Sequence, residues 1–181
     1  MRAWINLFEK EYDPAFVNAV ELWCDDYSQD HAYNGANNAF ERHLIELAAL
    51  HPVKIGGTLY RGQFIDDDLV LRLLNGETIT IKPMKRLIFS WSHSAEIAYS
   101  FAETYAEDQN QSTIVLSLPA SELRPIVDCS AITGDTYERE VICINQALSI
   151  SLKDVVALWR FDETEYRSSN IFDRLYDQPT P

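Results

Sequence analysis

Apolar residues fall at helical intervals in the first part of this chain and mostly at two-residue intervals later, and that order constrains the fold more than any single motif. Residues 14–23 place Phe16, Val20 and Trp23 on one stripe, and residues 37–50 do the same with Phe40, Leu44, Ile45, Leu47 and Ala48. A polar segment, 25–38, separates them. After a break at 53–57, TLYRGQFI sets Arg61 on the face opposite Tyr60 and Phe64, as in a half-buried strand. Asp66, Asp67 and Asp68 suit the positive end of a short helix over 69–74, closed by Asn75 and Gly76. Further strands are predicted at 113–118, 138–147 and 155–161, with a Gly134-Asp135 turn before the second of them. Helices first and strands afterwards predict an α+β fold built around a mostly antiparallel pair of sheets.

A chain of 181 residues with 46% hydrophobic composition can bury one good core, so a single domain over 1–181 is expected: a helical lead-in (1–52), a core (57–161) and a polar tail (162–181). Its 15 basic residues stand against 28 acidic ones, a formal net charge of −13. That excess opposes attraction to nucleic acid or anionic lipid, and leaves solubility or a basic protein partner as its use. Cys24, Cys129 and Cys143 are odd in number and lack C-x-x-C spacing, and His31, His43, His51 and His93 lack paired ligand spacing. Neither a disulfide framework nor a metal site is expected, and a reducing cytoplasm is the simpler compartment. The opening MRAWINLFEKEYDP meets acidic residues too early for a secretory signal, and no apolar run approaches membrane-spanning length.

Three places carry residues suited to chemistry. The run RLIFSWSHSAEIAYSFAETYAE (86–107) changes from a short strand at 87–89 to a helix with Ile97, Ala98, Phe101 and Tyr105 on one stripe, which puts its serines at the junction. TYEREVICI (136–144) begins an apolar strand with two glutamates. Unbroken alternation there would make Glu138 and Glu140 neighbours on one face. Like charges held that close cost stability unless a cation or a reaction needs both. Arg61 is the third. Each has an ordinary explanation: Arg61 as a half-buried ion-pair partner, Ser92 or Ser94 as a helix cap, and the glutamates as the solvated face of an edge strand. His93 fits a surface or capping role, and Trp4, Trp23 and Trp159 read as core.

In combination, Arg61 in LYRG, Phe89-Ser90-Trp91-Ser92, Ala98-Tyr99-Ser100-Phe101-Ala102 and Glu138-Arg139-Glu140 follow one another in an order that resembles the arginine-serine-glutamate class of mono-ADP-ribosyltransferases. The resemblance spans about residues 27–147. One departure is Trp91, which stands where that family usually has threonine and must either fill the core or line the site. The resemblance implies an ADP-ribosyltransferase-like fold, with N-terminal helices, a mostly antiparallel β-sandwich core and a cleft for NAD, which serves as substrate. It implies that Arg61 and Gly62, with Ser90, Trp91 and Ser92, surround the dinucleotide. Ser90 would hold the nicotinamide ribose in register with Glu140, the carboxylate beside the reacting sugar. Glu138 would face an arginine acceptor and draw off its proton, and Tyr137 would either stack on that guanidinium or pack at the strand end. The implied partners are a target protein with an accessible arginine and an antitoxin or host protein, as for bacterial toxins, effectors and phage enzymes. An NAD glycohydrolase, or a non-catalytic acidic binding module on the same fold, are the alternatives.

Overall fold

The computed structural model describes residues 12–24, 37–83, 86–134, 137, 139–162 and 167–170. Their helices are α1 (Pro14–Leu22), α2 (Asn37–Leu50), α3 (Asp67–Leu74), α4 (Ala95–Gln109) and α5 (Cys129–Thr133). The strands are β1 (Thr58–Phe64), β2 (Ile79–Ile81), β3 (Ile88–Ser92), β4 (Thr113–Pro119), β5 (Pro125–Asp128), β6 (Glu140–Ile144), β7 (Leu148–Ile150), β8 (Val155–Asp162) and β9 (Arg167–Asn170). Seven of them form an antiparallel sheet in the order β5-β6-β3-β1-β4-β8-β9, and β2 pairs with β7 in a second, two-stranded sheet. The α+β class is as the periodicity predicts. The pair of sheets is unequal, with the small one set against the core of the large one.

Alternation along the strands assigns each core residue to a face of the large sheet. One face carries Leu59, Leu116, Val141 and Cys143, covered by Val70 and Leu73 of α3 and by Ile79 and Ile150 of the small sheet. The other face is covered in two patches. Phe16, Val20 and Leu44 of α1 and α2 lie on Ile88, Val127 and Ile142, while Ala98, Ala102 and Ala106 of α4 lie on Val115 and Ala157. With both faces covered, the central strand β4 is apolar almost throughout, and the buried strand β6 is apolar after its first residue.

Local signals fix the helix ends. The Asp13 side chain accepts the Ala15 N–H at 2.7 Å with Pro14 in the first turn, so α1 begins where a fixed φ and a missing N–H cost nothing. Asp67 and Asp68 occupy the first turn of α3, where the helix dipole favours them. Two expectations change. β3 runs through Ser92, so Ser90 and Ser92 lie in the strand, and Ser94 is the cap of α4, accepting the Ile97 N–H at 3.4 Å. The buried stripe of α4 is alanine, whereas Phe101 is 44% exposed and joins Tyr105 and Phe64 in an aromatic group at the rim. The expectation for Trp4 lies outside the described residues, as do those for His31 and most of the tail. Among the described residues, no helix is long and apolar enough to cross a membrane.

Candidate active site

Glu140 opens β6 opposite Ser92, and Ser90 stands opposite Ile142. Ser90, Ser92 and Glu140 therefore share the face on which α1 packs, with Ser90 diagonal to the glutamate. The Ser90 hydroxyl donates to Glu140 Oε1, and the Trp23 indole N–H donates to the same oxygen at 2.7 Å. Glu140 Oε2 faces the Cys24 thiol at 3.7 Å. The carboxylate is only 9% exposed, so a side chain that would be costly to bury is held by directed donors. Trp23 and Cys24 reach it because a wide π turn continues α1 past Leu22 and carries both residues over the end of β6.

Arg61 approaches from the other side. β1 and β3 meet at one residue pair, Tyr60 with Ser92, and where the ladder stops the Arg61 side chain bridges the two strands. Its guanidinium donates to the Ser90 carbonyl and to Gln63 Oε1 (3.0 Å), and lies over the Phe89 ring, 4.4 Å from the centroid. Burial lowers its pKa to about 10, which leaves it cationic at neutral pH. The structure thus brings Ser90 and Glu140 into direct contact, and connects Arg61 to them through the main chain of Ser90.

Two expected site residues are corrected. Trp91 alternates with Ser90 and Ser92, so its ring points to the opposite face and is buried among Leu59, Val141 and Cys143; it fills the core and does not line a dinucleotide site. A Cβ on Gly62 would lie 2.3 Å from the Ala98 carbonyl oxygen and 2.9 Å from the Ala102 nitrogen, so this glycine serves the close approach of α4 to β1 and not a cofactor. Ser92 turns its hydroxyl towards α4 and accepts the Ser94 N–H at 2.9 Å. The paired-glutamate expectation also shifts. The strand begins at Glu140, and Arg139 has φ +49°, which breaks the alternation assumed for the pair. Glu138 lies outside the described residues. Tyr137, 78% exposed, stands just before the strand.

His93 serves the frame: its Nε2 lies 3.5 Å from Asp128 Oδ2, and its backbone N–H donates to the Arg139 carbonyl. Glu41, fully buried on α2, accepts the Leu87 N–H at 2.7 Å and so fixes the start of β3. Sequence reasoning missed the chemical part played by Trp23, Cys24 and Cys129. The one usable signal was Trp23 itself, since a buried indole N–H needs an acceptor.

Cys129, the first residue of α5, lies beside Cys24. A hydrogen bond with Cys24, followed by burial, pushes the Cys129 thiol well above its ordinary range. The ligand atoms of Cys24, Cys129 and Glu140 all lie within 4.8 Å of one another. The absence of metal-ligand spacing in the sequence therefore did not exclude such a group, because its members come from three distant segments.

The arrangement offers a fixed carboxylate with one oxygen saturated by two donors, in surroundings where charge interacts strongly. Such a group can stabilise positive charge that develops next to it. No family model, curated protein or solved structure matches the chain.

Proposed function

We propose that this protein is an NAD-dependent mono-ADP-ribosyltransferase that modifies arginine side chains of a target protein. The observation that carries this reading is the hydrogen bond from Ser90 to Glu140, between residues 50 apart in sequence that the motif resemblance pairs. With Trp23 on the same oxygen, Glu140 needs no reorientation as charge develops.

In the proposed reaction the bond from the ribose C1′ to the nicotinamide nitrogen breaks, and nicotinamide leaves with the bonding pair. The positive charge left on the sugar is stabilised by Glu140, as in other glycosyl transfers through cationic transition states. A guanidinium nitrogen of the acceptor then bonds to C1′ and gives up a proton, which Glu138 takes. Glu138 is assigned by the resemblance alone. Phosphate binding by Arg61 is likewise assigned by the resemblance alone, since its cationic side chain lies on the sheet face opposite Glu140 and joins the site only through the Ser90 main chain, while exposed Tyr137 offers a stacking face to the acceptor. On this reading the enzyme works in the cytoplasm on a host or target protein, as toxins, effectors and phage enzymes of this chemistry do.

The test is incubation of the reduced protein with labelled NAD and a cell lysate, following nicotinamide release and label on protein bands. Glu140→Gln is expected to lower turnover by about 100- to 1,000-fold, the usual cost of removing one transition-state-stabilising group. Glu138→Gln should abolish protein labelling while leaving nicotinamide release. Nicotinamide without labelled protein in the wild type would make this a glycohydrolase, and neither signal would leave a binding module.

A further inference from the structure

The grouping of Cys24, Cys129 and Glu140 points to a function outside sugar chemistry: we infer that these three side chains form a site for one zinc ion. Two sulfurs and a carboxylate oxygen are a donor set suited to zinc, and poorly suited to magnesium or calcium. At ordinary zinc bond lengths, a sulfur and an oxygen on a tetrahedral ion lie roughly 3.6 Å apart. Cys24 Sγ and Glu140 Oε2 are 3.7 Å apart, and the Cys129 Sγ lies within 4.8 Å of the Cys24 sulfur and of a Glu140 carboxylate oxygen.

The carboxylate is divided in the way a metal ligand usually is. Oε1 is held by Trp23 and Ser90, which orient the group from behind, and Oε2 is turned towards the Cys24 thiol. Three protein ligands leave a fourth position for water. Binding exchanges the two thiol protons, released to solvent, for the ion. The effect on catalysis rests on the proposed function: zinc on Oε2 would neutralise the charge that the sugar needs, so the ion would act as an inhibitor that a chelator removes.

Titration of the reduced, chelator-stripped protein with cobalt(II) tests the site without NAD. One cobalt per chain is expected, with sulfur-to-metal charge-transfer absorption and the visible bands of a tetrahedral ion, and zinc should displace it. Cys24→Ser and Cys129→Ser should each weaken binding by more than about 100-fold, beyond the effect of losing an outer-shell partner, and Trp23→Phe by about 10-fold. Cys143→Ala, with its side chain on the opposite face, should bind like the wild type. Circular dichroism of each variant separates lost ligands from lost folding, and Glu140→Gln gives a third, independent ligand variant. Unchanged binding in the folded cysteine variants, or cobalt bound without sulfur charge transfer, overturns the site. So does a Cys24–Cys129 disulfide in air from a reduced protein that takes up no metal. If cobalt binds as described and NAD is not turned over, the proposed function fails and the metal site stands; turnover without metal binding gives the reverse.

Discussion

Two helices are seated on the same face of the same sheet by opposite means. α4 meets β1, β4 and β8 through Ala98, Ala102 and Ala106, with Gly62 beneath, and its fit is one of bare backbone approach. α1 meets β3 and β6 through Phe16, Val20 and Trp23, and its end encloses a carboxylate and two thiols. The first seat tolerates no added atom, and the second depends on polar groups that each need a partner. Close packing fixes where β1 and β3 lie, and the polar layer is placed where those strands diverge.

If this contrast is correct, the largest single effect falls at the dry seat. Gly62→Ala is predicted to lower stability by about 3 kcal/mol, the upper range for overpacking, because the atom it would meet is backbone. Urea denaturation reads this directly, and an unchanged midpoint would mean that α4 is not seated there. At the polar seat, Trp23→Phe keeps an aromatic ring but gives up the second ring of the indole and one donor to a buried carboxylate, a loss of at least about 2 kcal/mol. Combined with Glu140→Gln in a double-mutant cycle, it should show a coupling of about 1 kcal/mol, whereas additive losses would separate indole from carboxylate.

A third prediction concerns the sheet's far face, where burial pushes the Cys143 thiol up to about 12. A folded-state value above the unfolded one favours the neutral thiol, so its stabilisation is complete below the ordinary thiol range and fades as pH rises towards that value. The stability gap between wild type and Cys143→Ala should therefore narrow above about pH 8.5 and stay constant at neutral pH. A gap independent of pH would show that burial does not perturb this thiol. The smallest effect is expected at Tyr137, whose exposure puts Tyr137→Ala within about 0.5 kcal/mol of wild type. Its signal should appear in target labelling, and equal labelling would remove Tyr137 from acceptor recognition.

Elements with a strong internal period were legible in the sequence: α1, α2, α3, β1, β4 and β8 stand within a few residues of where their patterns place them. β5, β7 and β9 were not, being three or four residues long, with Pro125 in the first and only polar or charged residues in the last. The inward stripe of α4 was misjudged because hydrophobicity favours Phe101, whereas the space beside Gly62 admits only alanine. Ser90 and Glu140 could be paired from motif order. Their companions could not, because nothing local to residues 23, 24 or 129 indicates where β6 will lie. Arg139 marks a further limit: its left-handed φ ends the alternation, and no residue type announced it.

The hydrogen bond between Trp23 and Glu140 spans 117 residues, and that separation becomes a time during synthesis. At about 5–20 residues per second, α1 is made roughly 6–23 seconds before the strand that supplies its acceptor. Throughout that interval Glu140 has not yet been made for the indole and the Cys24 thiol to meet. The centre is assembled only after β6 has been made, so a growing chain carries the first half of its chemistry long before it can use it.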